Sequence, residues 1–138
     1  MEDRHLFKAK RLYNGEWVQG YLIYSFTGVP IIVTEYDHIL MLVTRYEVDL
    51  KTICQCTGLK DKNGNLIWEN DIVAYLDTYS TESGMAEMNC IGKVVWDDET
   101  ISFQVTNRLF AESYEVLDEC NVIGNIFDNP ELLESEEL

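Results

Sequence analysis

Residues 57–64 read Thr57-Gly58-Leu59-Lys60-Asp61-Lys62-Asn63-Gly64, TGLKDKNG, and the chain runs on as NLIWENDIV to Val73. A cluster of Asp and Asn around a glycine, leading into an apolar segment, can be a cation loop, a catalytic loop or a turn. Asp61, Asn63 and Asn65 match the first, third and fifth ligand positions of a calcium-binding EF-hand loop. The match stops there, because Leu66 stands where the loop needs glycine and Ile72 where it needs glutamate, with no amphipathic helices on either side. The turn reading remains: Asp61-Lys62-Asn63-Gly64 as a type I turn with Gly64 at positive φ, closing a hairpin with a bulge. Leu59 and Ile67 are then expected to face inward, and Trp68 leads to a strand that starts at Asp71.

Working outward, short β-rich runs punctuated by turn residues recur along the chain, and few segments carry a 3.6-residue apolar stripe. Leu6 to Tyr13 and Glu16 to Phe26 flank Asn14-Gly15, a hairpin signal because both residues tolerate positive φ. Strands are expected over Ile31 to Glu35 and Ile39 to Thr44, with a turn at Tyr36-Asp37-His38. Asp49 can cap one helical turn over Leu50 to Ile53, ahead of an extended Cys54-Gln55-Cys56. Beyond the opening stretch, Asp71 to Leu76 reads as a strand and the polar Asp77 to Met88 as a mobile loop. Gly92 to Trp96 and Ile101 to Val105 flank a four-residue connection, Asp97-Asp98-Glu99-Thr100, with Ile101, Phe103 and Val105 on one face. Leu109 to Leu117 fits a short helix or a strand. Asn121 to Phe127 reads as a closing strand, followed by a short helix over Pro130 to Glu134 with Asn129 as cap and a frayed end over Ser135 to Leu138.

The pattern predicts a mostly-β protein: N-terminal antiparallel hairpins over residues 1–56, joined to an acidic small SH3-like barrel or bent sheet over residues 57–138, the two packed as one compact unit. A hydrophobic fraction of 46% and an aromatic fraction of 12% supply enough apolar surface to offset the entropy of folding. No apolar run reaches bilayer length and the N-terminus carries charges where a signal peptide is apolar, so a cytoplasmic protein with no membrane contact is expected. In that compartment Cys54, Cys56, Cys90 and Cys120 are expected as thiols.

The net charge of −15 is unevenly distributed. Through Lys60 there are seven Lys/Arg and seven Asp/Glu; from Asp61 onward there are three against eighteen, so the second part carries the whole excess. Such a surface repels phosphate, which argues against direct nucleic-acid binding, and it attracts basic protein surfaces.

No catalytic constellation emerges. Cys54 and Cys56 share one strand face, but a C-x-C pair with scattered partners is a weak zinc pattern, and small buried hydrophobes describe these thiols better. His5, in an exposed segment, and His38, in a turn, place no base beside a thiol. No glycine-rich phosphate cradle is present. Neither metal nor cofactor is expected. Trp17, Trp68 and Trp96, with Tyr75 and Tyr114, could line a groove, although aromatics in small β folds more often pack a core.

Three stretches carry a resemblance. The blocks CTGLKDKNGNLIWENDIV, GKVVWDD and NVIGNIFDNPELLE, with the Trp17-Val18-Gln19-Gly20-Tyr21 segment, resemble the YopX family of small phage and prophage proteins. In that comparison Asn70 stands where glycine is usual, which is tolerable because Asn accommodates positive φ. Cys54 and Cys56 stand where Gly and an aromatic are usual. The resemblance implies phage or prophage origin, a bacterial cytoplasm, a mostly-β fold and a homo-oligomer, and it brings no catalytic residues. The expected role is a non-enzymatic accessory protein that assembles with itself or binds a basic host or phage protein. Thr57, Gly58, Leu59, Asp61, Asn63, Gly64 and Asp71 form its structural motif, and Trp68, Trp96, Asp97, Asp98 and Glu99 its interaction surface. An acidic DNA mimic, and a binder of small ligands or peptides in an aromatic groove, are the alternatives.

Overall fold

The structure, a computed structural model, describes residues 5–107, 110–115 and 119–135. The chain divides into two compact units, Met1–Gly58 and Leu59–Leu138. Both are built from antiparallel strands, and no helix among the described residues is long and apolar enough to cross a membrane.

The first unit is a sheet in the order β4-β3-β2-β1-β5. Its strands are β1 (Phe7–Lys10), β2 (Trp17–Tyr24), β3 (Pro30–Asp37), β4 (Leu42–Glu47) and β5 (Cys54–Lys60). Alternation puts Ala9, Ile32 and Val48 at a buried centre, with Phe7, Val18, Leu22 and Ile53 packed around them. The first hairpin is shorter than the sequence predicts. Arg11 N bonds Glu16 O at 2.9 Å and Gly15 N bonds Arg11 O at 2.9 Å, so a four-residue loop replaces the expected two-residue turn. Gly15 takes positive φ, whereas Asn14 uses its side chain to accept the Glu16 N–H. Asp49 caps the 3-10 turn Leu50–Thr52 through the Lys51 N–H, as expected.

The turn between β3 and β4 lies further along than expected. Asp37 accepts the N–H groups of Ile39 and Leu40 on one carboxylate oxygen, and Met41 sits at φ 58°. Ile39, Leu40 and Met41 therefore occupy the turn, and β4 starts at Leu42 instead of Ile39.

β5 runs from the first unit into the second, where β6 (Leu66–Trp68) joins it across the opening turn. The second unit's main sheet has the order β10-β9-β8-β7-β11, with β7 (Asp71–Thr81), β8 (Gly84–Asp97), β9 (Ser102–Asn107), β10 (Phe110–Glu115) and β11 (Asn121–Asn125). The described strands form an open sheet, not the closed SH3-like barrel considered from the sequence, because β10 and β11 lie at its opposite ends. Ile67, Val73, Val94, Val105 and Cys120 fill its core. Gly92 is obligatory there, since a Cβ would come within 2.5 Å of the Thr106 carbonyl oxygen.

Residues 77–88, expected as a mobile loop, are a β-ribbon. Asp77 pairs with Met88 and the ladder continues to Thr81 opposite Gly84. Thr and Tyr favour extended backbone, and a two-stranded ladder satisfies its peptide groups without burying side chains, which is why polarity alone misleads here. The β8–β9 turn is displaced by one residue: Asp97 pairs with Ser102, and Ile101 sits in the turn at φ 54°, exposed, instead of sharing the Phe103–Val105 face. The ambiguous Leu109 to Leu117 segment contains β10. The C-terminal element is a 3-10 helix, Pro130–Ser135, and the expected Asn129 side-chain cap is not made. Asn129 instead accepts Leu132 N–H with its backbone oxygen and Asn125 N–H with its side chain. The expectation of fraying over Ser135 to Leu138 falls largely on residues 136–138, outside the described residues.

Candidate functional site

The opening turn forms as its residues dictate, and its aspartate does more than shape it. Gly64 sits at φ 84°, Gly64 N bonds Asp61 O at 3.0 Å, and Asp61 N bonds Asn65 O at 2.8 Å. One carboxylate oxygen of Asp61 accepts the N–H groups of Asn63 and Asn65, each at 2.9 Å. The other reaches β11 and accepts the Val122 N–H at 3.0 Å, with the Asn65 side-chain amide at 3.5 Å. Two neighbouring bonds reinforce this clamp: Lys62 N to Cys120 O at 3.0 Å, and the Asn63 side-chain amide to the Asn121 side-chain oxygen. Asp61 is buried. Burial raises its pKa, but the bonds from Val122, Asn65 and Asn63 outweigh that, and the net shift is below the ordinary 3.8.

A second junction lies one turn further on. Asp71 is buried and accepts the Trp68 N–H at 2.8 Å. Asn70 adopts φ 72°, the conformation that makes Asn an acceptable replacement for glycine, and its N–H bonds Val94 O at 2.8 Å. Ile126 N returns to Asn70 O at 3.0 Å, and Asn125 pairs with Asp71. The TGLKDKNG block and the NVIGNIFDNPELL block are thus one structural element, joined through Asp61, Asn70 and Asp71.

That element forms one wall of a cavity of about 460 Å³. The inner face of the sheet passes from its core residues Val73 and Val94 to Tyr75 opposite Cys90, then to Asp77. Tyr75, Asp77, Cys90 and Val105 line the sheet side, and Lys62, Glu119 and Cys120 the side held by the Asp61 clamp. Burial, and after it the negative charge of Asp77, raise the pKa of the Cys90 thiol, so this wall is neutral sulfur.

The proposed interaction residues do not come together here. Trp68 is buried and Trp96 is exposed on the β8–β9 hairpin, and neither lines the cavity. Trp96 packs edge-on against Phe103 at 5.0 Å and donates its indole N–H to Asp98 at 2.8 Å, while Asp97 accepts the Glu99 N–H at 2.9 Å. These acids are therefore partly engaged in shaping their own turn. Trp17 stacks beneath Lys8 and Lys10, with ammonium-to-ring distances of 4.8 and 5.4 Å. Of the early motif residues, Thr57 is half-buried and Gly58 takes φ 81°. Leu59, expected inward, is exposed: Cys54 and Cys56 face inward, so period-two alternation sends Leu59 out with Thr57. The side chain of Tyr114 lies outside the described residues. Tyr75 is the groove aromatic that the fold places in a concavity. Cys120 and Val122, which complete the site, carry no local sequence signal.

All four cysteines are buried thiols. Among the described residues no three His, Cys, Asp or Glu side chains lie close enough to hold a metal ion. His5 and His38 are exposed.

The first unit presents a different feature. Tyr36, Ile39, Leu40, Met41, Leu42 and Val43 are all exposed, by 45% at Val43 to 80% at Ile39, on a single hairpin. β4, which carries two of them, is the outermost strand of its sheet.

Residues 6–134 match the family model described as YopX protein, covering both joined blocks and the first hairpin. Among solved structures, the crystal structure of protein EF1440 from Enterococcus faecalis is similar, with 25% sequence identity, a TM-score of 0.54, and coverage of 92% of this chain and 96% of that one. No curated protein matches.

Proposed function

The chain belongs to the YopX family, and on that footing we propose that it is a non-catalytic phage or prophage accessory protein that works by protein–protein contact, assembling with copies of itself through the β3–β4 hairpin. The observation that supports this is the run of six exposed apolar side chains between Tyr36 and Val43. Exposed apolar side chains gathered on one hairpin are costly in water and mark contact sites. Its position adds a second attraction, because an outermost strand carries backbone donors and acceptors able to pair with another strand. Charge favours the same half: residues up to Lys60 are net neutral, so a contact made there carries no net like-charge repulsion of its own.

Light scattering on the full chain and on Leu40→Asp and Leu42→Asp tests the reading. The native chain is expected to run above monomer mass, and each variant as a monomer with an unchanged β-type circular dichroism spectrum. A native chain that stays monomeric at micromolar concentration overturns it.

A further inference from the structure

We propose that the cavity of the C-terminal unit is a binding site for a small organic cation, an amine carried on an aromatic or apolar body. The inference is independent of self-assembly, since the cavity and the β3–β4 hairpin belong to different units.

Size is the first argument. About 460 Å³ lies within the range of roughly 300–1,000 Å³ typical of small-molecule sites. Such a space would collapse if long side chains filled it, but the sheet side and the opposite wall carry the small side chains of Cys90 and Cys120. The clamp from Asp61 to Val122, with the Lys62–Cys120 backbone bond, holds the opposite wall in place, so the cavity is preformed.

Chemistry is the second. The ring of Tyr75, the thiols of Cys90 and Cys120 and the Val105 side chain offer a soft, apolar interior suited to a flat hydrocarbon body. At the rim stand one cationic side chain, Lys62, and two carboxylates, Asp77 and Glu119, with the amides of Asn89 and Asn121. The local balance is negative, and it lies in the part of the chain that carries the entire −15 excess. An ammonium group gains from both, and the phenol ring of Tyr75 adds a cation–π surface. A carboxylate or phosphate ligand meets the opposite field.

Three probes of one shape separate charge from volume: 2-phenylethylamine, 2-phenylethanol and phenylacetate, each titrated into the full chain while backbone amide NMR shifts are followed. The amine is expected to move the amides of Tyr75, Cys90 and Cys120 and to bind more tightly than the alcohol, with phenylacetate weakest. Asp77→Asn combined with Glu119→Gln is expected to weaken the amine about tenfold, the scale of a single charge-assisted contact, and to leave the alcohol unchanged. Both substitutions preserve shape on half-exposed or exposed positions, so the variant tests charge without demanding a refolded core. The inference is overturned if no probe shifts these amides, if phenylacetate binds as tightly as the amine, or if the double variant binds the amine with native affinity.

Discussion

Two turns of the C-terminal unit use the same local chemistry to different ends. The turn after Asp61 and the turn after Asp97 each begin with an aspartate whose carboxylate accepts the N–H two residues on, at 2.9 Å in both. Each ends its loop with a left-handed residue, Gly64 in one and Ile101 in the other. The difference lies in the second carboxylate oxygen. In Asp61 it reaches a strand 61 residues away and the group is buried; Asp97 is only half-buried and its bond to Glu99 is local. Local turn residues fix a hairpin, and only a long-range acceptor turns that hairpin into a wall of a site.

Removing the carboxylates gives the widest separation. Asp61→Ala leaves the half-buried N–H of Val122 and two turn N–H groups without their acceptor, and is expected to cost about 3 kcal/mol by denaturant unfolding. Asp97→Ala, whose single lost bond is replaced by water, is expected to cost less than about 1 kcal/mol. Equal losses would dissolve the contrast.

Acid titration probes the Asp61 turn next. The folded-state pKa of Asp61 lies below 3.8, so its contribution is fully present above that value and is lost as pH falls through the folded pKa. Stability measured from pH 6 down to pH 2 is therefore expected to fall less steeply in Asp61→Asn than in the native chain (about this span covers the window).

The smallest effect concerns the left-handed positions. A β-branched residue at positive φ is strained, so Ile101→Gly is expected to stabilise by about 1 kcal/mol. Gly64→Ile is expected to destabilise by a similar amount through backbone strain alone, because a Cβ at Gly64 meets no atom within 4 Å. Thermal unfolding of both variants reads the two signs.

The same comparison explains what could be read from the sequence. Asp61 to Gly64 announced its turn because every residue there matches a known turn preference, glycine at the left-handed position included. The turns ending at Met41 and Ile101 lie further along than the sequence predicts because an apolar residue occupies the glycine-like position and looks like strand. The ribbon over residues 77–88 was hidden for the converse reason: it satisfies its backbone through a ladder while exposing polar side chains, so burial periodicity has nothing to report. The mostly-β class is insensitive to such displacements because it rests on many short runs, none of them decisive. The cavity was illegible. Its walls come from segments brought together by a backbone amide at Val122 and a carbonyl at Cys120, groups that every residue carries.

The central claim is that the Asp61 carboxylate ties the opening turn to β11. Native-state amide exchange at Val122, compared with Gln104 on β9 of the same sheet, tests it most directly in the native chain and in Asp61→Asn. The account predicts that protection at Val122 falls at least about tenfold further than at Gln104, because one local bond is weakened while the β8–β9 ladder is intact. Equal changes at the two amides, or no change at Val122, would contradict it.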